Sequence, residues 1–381
     1  MGSDRLQPFS AAELARRETA VRERMARSDV SCLLIAGAGR SMDVQYLTDW
    51  PGTRESYVVF PADGEPILLV QFFNHVPNAR RVARIADVRW AGPGSIASVA
   101  AAVAERARDG ERLGLVGVVS HALARAVAER LPRAELVDFS GEVRLVRAVA
   151  SDEELAYLRA AAQATDAAMV ALETTRPGMR ESDLVYVVES AITAAGGTPG
   201  IHFMATTPMR APTIGVPSQL QTDRIIDRGD VLITEISGHR WGYGGQIHRA
   251  YAIGTEPSAD YARLHDVAAE TFERVRECLR DGATVADVLD AAEIVHERGF
   301  TIYDDLLHGT DQLPPILQTR RTSRWPQPES FVFRENMVVV IQPNVVSDES
   351  GCAGVQVGET VRIRKTGTER LHAYPMRFAS L

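Results

Sequence analysis

Apolar and polar positions along this chain repeat with two different periods, and the alternation between the two periods outlines its elements. From about Ser10 to Asp29 the apolar residues recur at helical spacing, and Ser10 with Glu13 has capping-box spacing, so an amphipathic helix is predicted there. SCLLIAG, VQYLTDW, ESYVVFP and PILLVQ read as strands, with Ala62-Asp63-Gly64-Glu65 a hairpin turn between the last two. Helical runs near Gly94–Asp109 and Ser120–Leu131 then alternate with a strand at RLGLVGV and a short run near Glu135–Asp138. This is α/β layering. The long helical pattern that follows, RLVRAVASDEELAYLRAAAQATDAAM, has an N-cap signal at Ser151 and Glu154. It places a boundary close to Ala150 and gives domains of 1–150 and 151–381.

The second domain carries a weak internal repeat. RPGMRESDLVYVVESAITAAGG and RDGATVADVLDAAEIVHERGF both read as turn, capped start and amphipathic helix, each after a long helix and before β-rich sequence. That spacing suggests a duplicated αβ half rather than a solenoid. Within it, GDVLITEISGHRWGYGGQIHRAYAIG (Gly229–Gly254) sets two apolar β-type runs around a Gly-rich turn. Gln246 and His248 are two apart in the second run and therefore face the same way.

Composition narrows the chemistry. The 381 residues are 45% apolar and 24% charged, as in an ordinary soluble globule, and length alone suggests two cores. A net charge of −8 argues against a nucleic-acid partner. No apolar run approaches the ~18 residues of a membrane span and the N-terminus lacks a signal-peptide core, so a cytoplasmic protein with no membrane partner is expected. Cys32, Cys278 and Cys352 have no metal or disulfide spacing. The one lysine, Lys365, lies in a polar segment unsuited to Schiff-base or pyridoxal chemistry, and a P-loop is absent. No cofactor is expected.

The Gly229–Gly254 hairpin resembles the ligand hairpin of the creatinase/methionine aminopeptidase/prolidase superfamily, the pita-bread enzymes. In that family the two strands read V-D-x-G and S-D-x-T-R, and each Asp binds metal. Here Glu235 and Gln246 stand at those positions. The family's ligand His is matched by His308 in LLHGTDQLPP, and its Glu before Pro by Gln342 in NMVVVIQPNVV. Its last Glu, in G-I-R-I-E-D, is matched by Gly358 in GVQVGETVRIR, with Glu359 one residue later and facing the other way unless a bulge shifts the register. Ser218 stands where the peptidases place a His ahead of the first ligand strand. Neutral amides replace carboxylates poorly in a charged dinuclear site, so no metal is expected. The resemblance extends over the N-terminal domain, down to YLTDW. It implies a creatinase-type N-terminal α/β domain and a pita-bread domain whose pseudo-twofold αβ halves close around one site.

Creatinase-like members of this superfamily hydrolyse a C–N bond without metal, using His as acid/base and carboxylates to orient the substrate. The resemblance therefore implies a metal-independent hydrolase acting on an amide, amidine or cyclic amidine in a small carboxylate-bearing molecule. His248, which takes the slot before the strand Arg, and His308 are the expected acid/base pair, with Glu235 holding an imidazole tautomer or a cationic group. Gln246, Gln342 and Glu359 are candidates for binding substrate. His202, in P-G-I-H-F-M, lies in the region where creatinases hold their catalytic His. Arg54, in WPGTRESYVVF, matches an Arg that the partner subunit contributes, so a homodimer sharing its sites is expected. Other readings of the same residues are a lyase or cyclase, a non-catalytic binding module, and a mononuclear peptidase with one ion on Glu235, His248 and His308.

Overall fold

The computed structural model describes residues 8–347 and 352–381, which divide into two compact units between Arg147 and Ala148. In the first, helices α1 (Ala11–Arg27), α2 (Met42–Thr48), α3 (Val76–Val82), α4 (Ser95–Arg106), α5 (His121–Arg130) and α6 (Ser140–Arg147) surround a six-stranded sheet. Its strands are β1 (Cys32–Gly37), β2 (Ser56–Pro61), β3 (Ile67–Val70), β4 (Asp87–Trp90), β5 (Arg112–Gly117) and β6 (Glu135–Asp138), in the order β4-β3-β2-β1-β5-β6. Alternation along β1 builds both cores. Leu33 and Ile35 pack with α1, α2, α3 and α6, while Cys32, Leu34 and Ala36 pack with α4 and α5.

One expected strand is a helix. VQYLTDW lies mostly in α2, where Ser41 accepts from the Asp43 amide and Asp49 ends the turn in the left-handed region at φ 59°. Val44, Gln45, Tyr46, Leu47 and Thr48 are all buried, and a short run buried on every side carries no period that separates helix from strand.

The second unit repeats one plan twice. Helices α7 (Asp152–Leu172) and α8 (Glu181–Ala194) precede β7 (Thr198–Pro208), β8 (Asp230–Arg240) and β9 (Tyr243–Ala252). Helices α9 (Ala259–Cys278), α10 (Val285–Ala292) and α11 (Ile294–Glu297) precede β10 (Thr301–Ile302), β11 (Leu307–Gly309), β12 (Leu313–Leu317), β13 (Val338–Ile341), β14 (Val345–Val346) and β15 (Gly358–Ile363). One sheet joins the halves in the order β12-β11-β13-β15-β9-β8-β7, with β16 (Thr368–Arg370) on β15 and β17 (Ala379–Ser380) on β9. This is a pita-bread architecture. Ser151 and Glu154 close a full capping box at the start of α7, worth about 1 kcal/mol. Among the described residues no helix is long and apolar enough to cross a membrane.

Candidate functional site

The Gly229–Gly254 segment forms β8 and β9, with Glu235 opposite His248 and Ser237 opposite Gln246. Alternation therefore sets Glu235, Ser237, Gln246 and His248 on one face, which we call the inner face. β15 joins the other side of β9 with Gly358 opposite His248, and β11 lies on β13 with His308 opposite Val340. The two halves of the unit thus deliver Glu235, Gln246 and His248 from one side, and Gln342 and His308 from the other.

A chain of hydrogen bonds orders these groups. The Gln246 Nε2 donates to Glu235 Oε1 at 2.8 Å and lies 3.2 Å from His248 Nε2. An amide nitrogen only donates, so His248 Nε2 accepts, and its Nδ1–H donates to Gln356 Oε1 at 3.2 Å. Across the seam, His308 donates from Nδ1 to the Gly309 carbonyl at 2.7 Å, and its Nε2 lies 3.1 Å from the Gln342 amide.

Burial pushes His248 down to about 3, and the nearby His308 and Arg249 add to this against the Gln356 bond, so the ring is uncharged at neutral pH. Glu235 moves the opposite way. Burial, then the negative charges of Asp304 and Asp305, raise it to about 7 against the Gln246 bond. His248 and His308 are 0% and 1% exposed, whereas Glu235 is only partly buried. Glu235 is thus the most exposed of these titrating groups, and His248 accepts from the same Gln246 amide that donates to the carboxylate.

Two expected residues lie elsewhere. Phe203, not His202, is opposite Glu235, because the β7 register shifts between Pro199 and His202. His202 instead shares its face with Ile236 in the helical core, its Nδ1 3.5 Å from Glu189 of α8. Glu359 pairs with Ile247 and so points away from Gln246. It is 0% exposed, bonded to Arg249 at 2.6 Å and Arg370 at 2.5 Å, and acts as an internal anchor rather than a substrate contact. Arg54 is an exposed residue of the first unit, just ahead of β2. Ser218 sits in the loop between β7 and β8, its hydroxyl donating to the Leu220 carbonyl. Gln356 was not singled out by the sequence, although its place two residues before Gly358 gives it the same facing.

The model of metallopeptidase family M24 matches residues 156–365, and that of the creatinase/prolidase N-terminal domain matches residues 17–149. The chain belongs to family M24. An uncharacterized hydrolase/peptidase (y4tL) of Sinorhizobium fredii is 28% identical over 302 residues, covering 75% of this chain and 76% of the relative. The creatinase of a Bacillus species (strain B-0618) is 24% identical over 400 residues, 98% and 94% of the two chains. A prolidase structure from Thermococcus sibiricus superposes with a TM-score of 0.84 over 98% of this chain and 100% of that one, at 17% identity, a likeness of fold. The chain is therefore a hydrolase-type M24 member.

The family name implies metal, and the donor set does not fit a two-ion centre. Gln246 and Gln342 are neutral amides engaged with Glu235, His248 and His308. Gly358 offers no ligand atom, and a Cβ there would meet the Ile341 carbonyl oxygen at 2.4 Å and Gln342 Cα at 2.8 Å. The backbone at the end of β13 lies too close to Gly358 to leave room for a side chain there. Among the described residues no three of His, Cys, Asp and Glu gather in a metal-holding group, Glu235, His248 and His308 included.

Proposed function

We propose that this M24 member is a metal-independent, creatinase-like hydrolase of a C–N bond in a small polar carboxylate-bearing substrate, an amide, amidine or cyclic amidine. The observation that carries the reading is Glu235, a reachable carboxyl raised to about 7 beside amides that replace the family's metal ligands. A general acid/base works best with a pKa near the operating pH. Glu235 takes a proton from water as its oxygen attacks the substrate carbon, then returns it to the nitrogen as the C–N bond breaks. His248 fixes the Gln246 amide, and that amide orients the carboxylate. In the same reading a second copy of the chain supplies Arg54 to grip the substrate carboxylate.

The test is amine release from a panel of creatine, cyclic amidines and an Xaa-Pro dipeptide by untagged protein, before and after exhaustive chelation. Turnover of a panel member at an unchanged rate is expected, rising with pH through about 7. E235Q lowers that rate by about 10²–10⁴-fold and removes the pH limb. Activity that vanishes on chelation and returns with a divalent ion overturns the proposal.

A further inference from the structure

Two carboxamides, Asn344 and the Gln356 that pairs with His248, end the inner face with hydrogen-bonding capacity left over. Val346 bridges Gly354, and the Val345 carbonyl accepts from the Val355 amide, which continues the register of Ile341 opposite Glu359 and sets Asn344 against Gln356. Gln356 keeps the parity of Gly358 and bonds to His248, so it and the Asn344 opposite it lie on the inner face. Asn344 is 1% exposed and Gln356 0%. His248 uses the Gln356 oxygen and thereby fixes which end of that amide is free, namely the donor Nε2. Among the described residues that nitrogen has no partner, and neither amide atom of Asn344 has one. Buried polar atoms are nearly always paired, so three unpaired atoms on two facing residues need a reason. The Asn344 backbone is spoken for, its N–H donating to the Gln342 carbonyl, so the side chain is not needed to hold the turn.

We propose that Asn344 and Gln356 form a subsite for an uncharged, planar amide or ureide group of the substrate. The substrate carbonyl accepts from Gln356 Nε2–H, while Asn344 offers both a donor and an acceptor to the same plane. Two neutral side chains cannot offset the burial of a full charge, and an anion would also meet Glu235 along the same hydrogen-bonded chain. A group that both accepts and donates is the one complement that satisfies all three atoms. The inference rests on the reading above, that substrate binds on the inner face, and adds two specificity-determining residues to it.

Saturation-transfer NMR on the full chain with three near-isosteric probes, acetamide, acetate and acetamidinium, tests it. The acetamide response falls about tenfold in Q356E and in N344L, while the acetate response is indifferent to both. Acetamidinium falls in E235Q and not in N344L. Q356E keeps an acceptor for His248 but places a carboxyl at a 0% exposed position, so N344L, which adds no charge, is the variant that decides the test. The thermal midpoint of N344L holds or rises, because an unpaired buried amide has been removed. Equal acetamide responses in wild type, Q356E and N344L overturn the subsite, and a surviving dependence of acetamidinium on Glu235 leaves the broader reading standing. A lowered midpoint in N344L assigns Asn344 a structural duty and likewise overturns it.

Discussion

The two faces of β9 and β15 use polar residues in opposite ways, although successive residues alternate between them. On the outer face Arg249 and Glu359 are both 0% exposed, and every obvious valence is filled. Arg249 donates to Glu359 and to the carbonyls of His248, Gly358, Tyr374 and Pro375, while Arg370 takes the remaining side of the carboxylate. On the inner face Gln246, His248 and Gln356 are also buried yet neutral, and the chain ends on an amide whose donor has no partner among the described residues. Charge is enclosed where the protein itself completes its bonding, as architecture requires. Uncharged groups with spare valence are enclosed where something else is to be bound.

The most severe way to break that contrast is on the charged face. E359Q keeps the shape and leaves Arg249 buried without a counter-charge, a change that typically costs about 3–5 kcal/mol. For a domain of this size that is a fall of roughly 6–20 °C in thermal midpoint, readable by calorimetry. N344L, equally buried on the inner face, shows no such fall. Equal losses in the two variants would erase the distinction between the faces.

Proton linkage sharpens the comparison within the inner face. Glu235 has a folded pKa of about 7 against an ordinary value of 4.5, so between those limits the folded state binds the extra proton and stability falls as pH rises. His248 has a folded pKa of about 3 against 6.5, so between those limits the unfolded state binds the extra proton and stability rises with pH. Each slope is at most about 1.4 kcal/mol per pH unit, and from 4.5 to 6.5 they oppose each other. Relative to wild type, E235Q should therefore gain stability as pH rises from about 4.5 to 7. H248N should lose relative stability from about 3 to 6.5. Denaturant titrations across pH read both, and parallel curves for wild type and E235Q would refute the raised carboxyl.

Much of this was legible in the sequence because it rests on spacing. The capping box at Ser151 and Glu154, the paired halves and the Gly229–Gly254 hairpin all emerge from local rules, and the parity of Gln246 with His248 survives because β9 pairs with β8 without a slip. What failed depends on register or environment. His202 is displaced by an irregularity in β7 at Pro199-Gly200, a pair that signals a bulge without fixing the register after it, and Phe203 takes the inward place. Parity already turned Glu359 away from Gln246, but its role as an anchor needs Arg370, which only folding brings near. The opposite shifts of Glu235 and His248 were invisible, since burial sets both and the neighbours Asp304 and Asp305 add to the first. Asn344 and Gln356 were within reach of the same two-residue counting from Gln342 and Gly358.

Gly358 marks the seam between the faces and gives the smallest effect. The position is extended, not left-handed, so its glycine is required by space rather than by φ. The added methyl of G358A would lie 2.4 Å from the Ile341 carbonyl oxygen, a backbone atom that cannot rotate aside, so β15 and β13 must separate. Overpacking of this kind costs about 1–3 kcal/mol. The displacement would carry Gln342 away from His308, 3.1 Å distant, and loosen the inner face while Arg249 and Glu359 on the other side stay paired. Hence G358A should lower the denaturation midpoint modestly and weaken the acetamidinium response less than E235Q does. G141A, which adds a methyl to α6 with nothing within 4 Å, is the matched control and should hold or raise stability. A G358A variant as stable as G141A would mean the strands tolerate a side chain there, and a glutamate at that position would then be compatible with the fold.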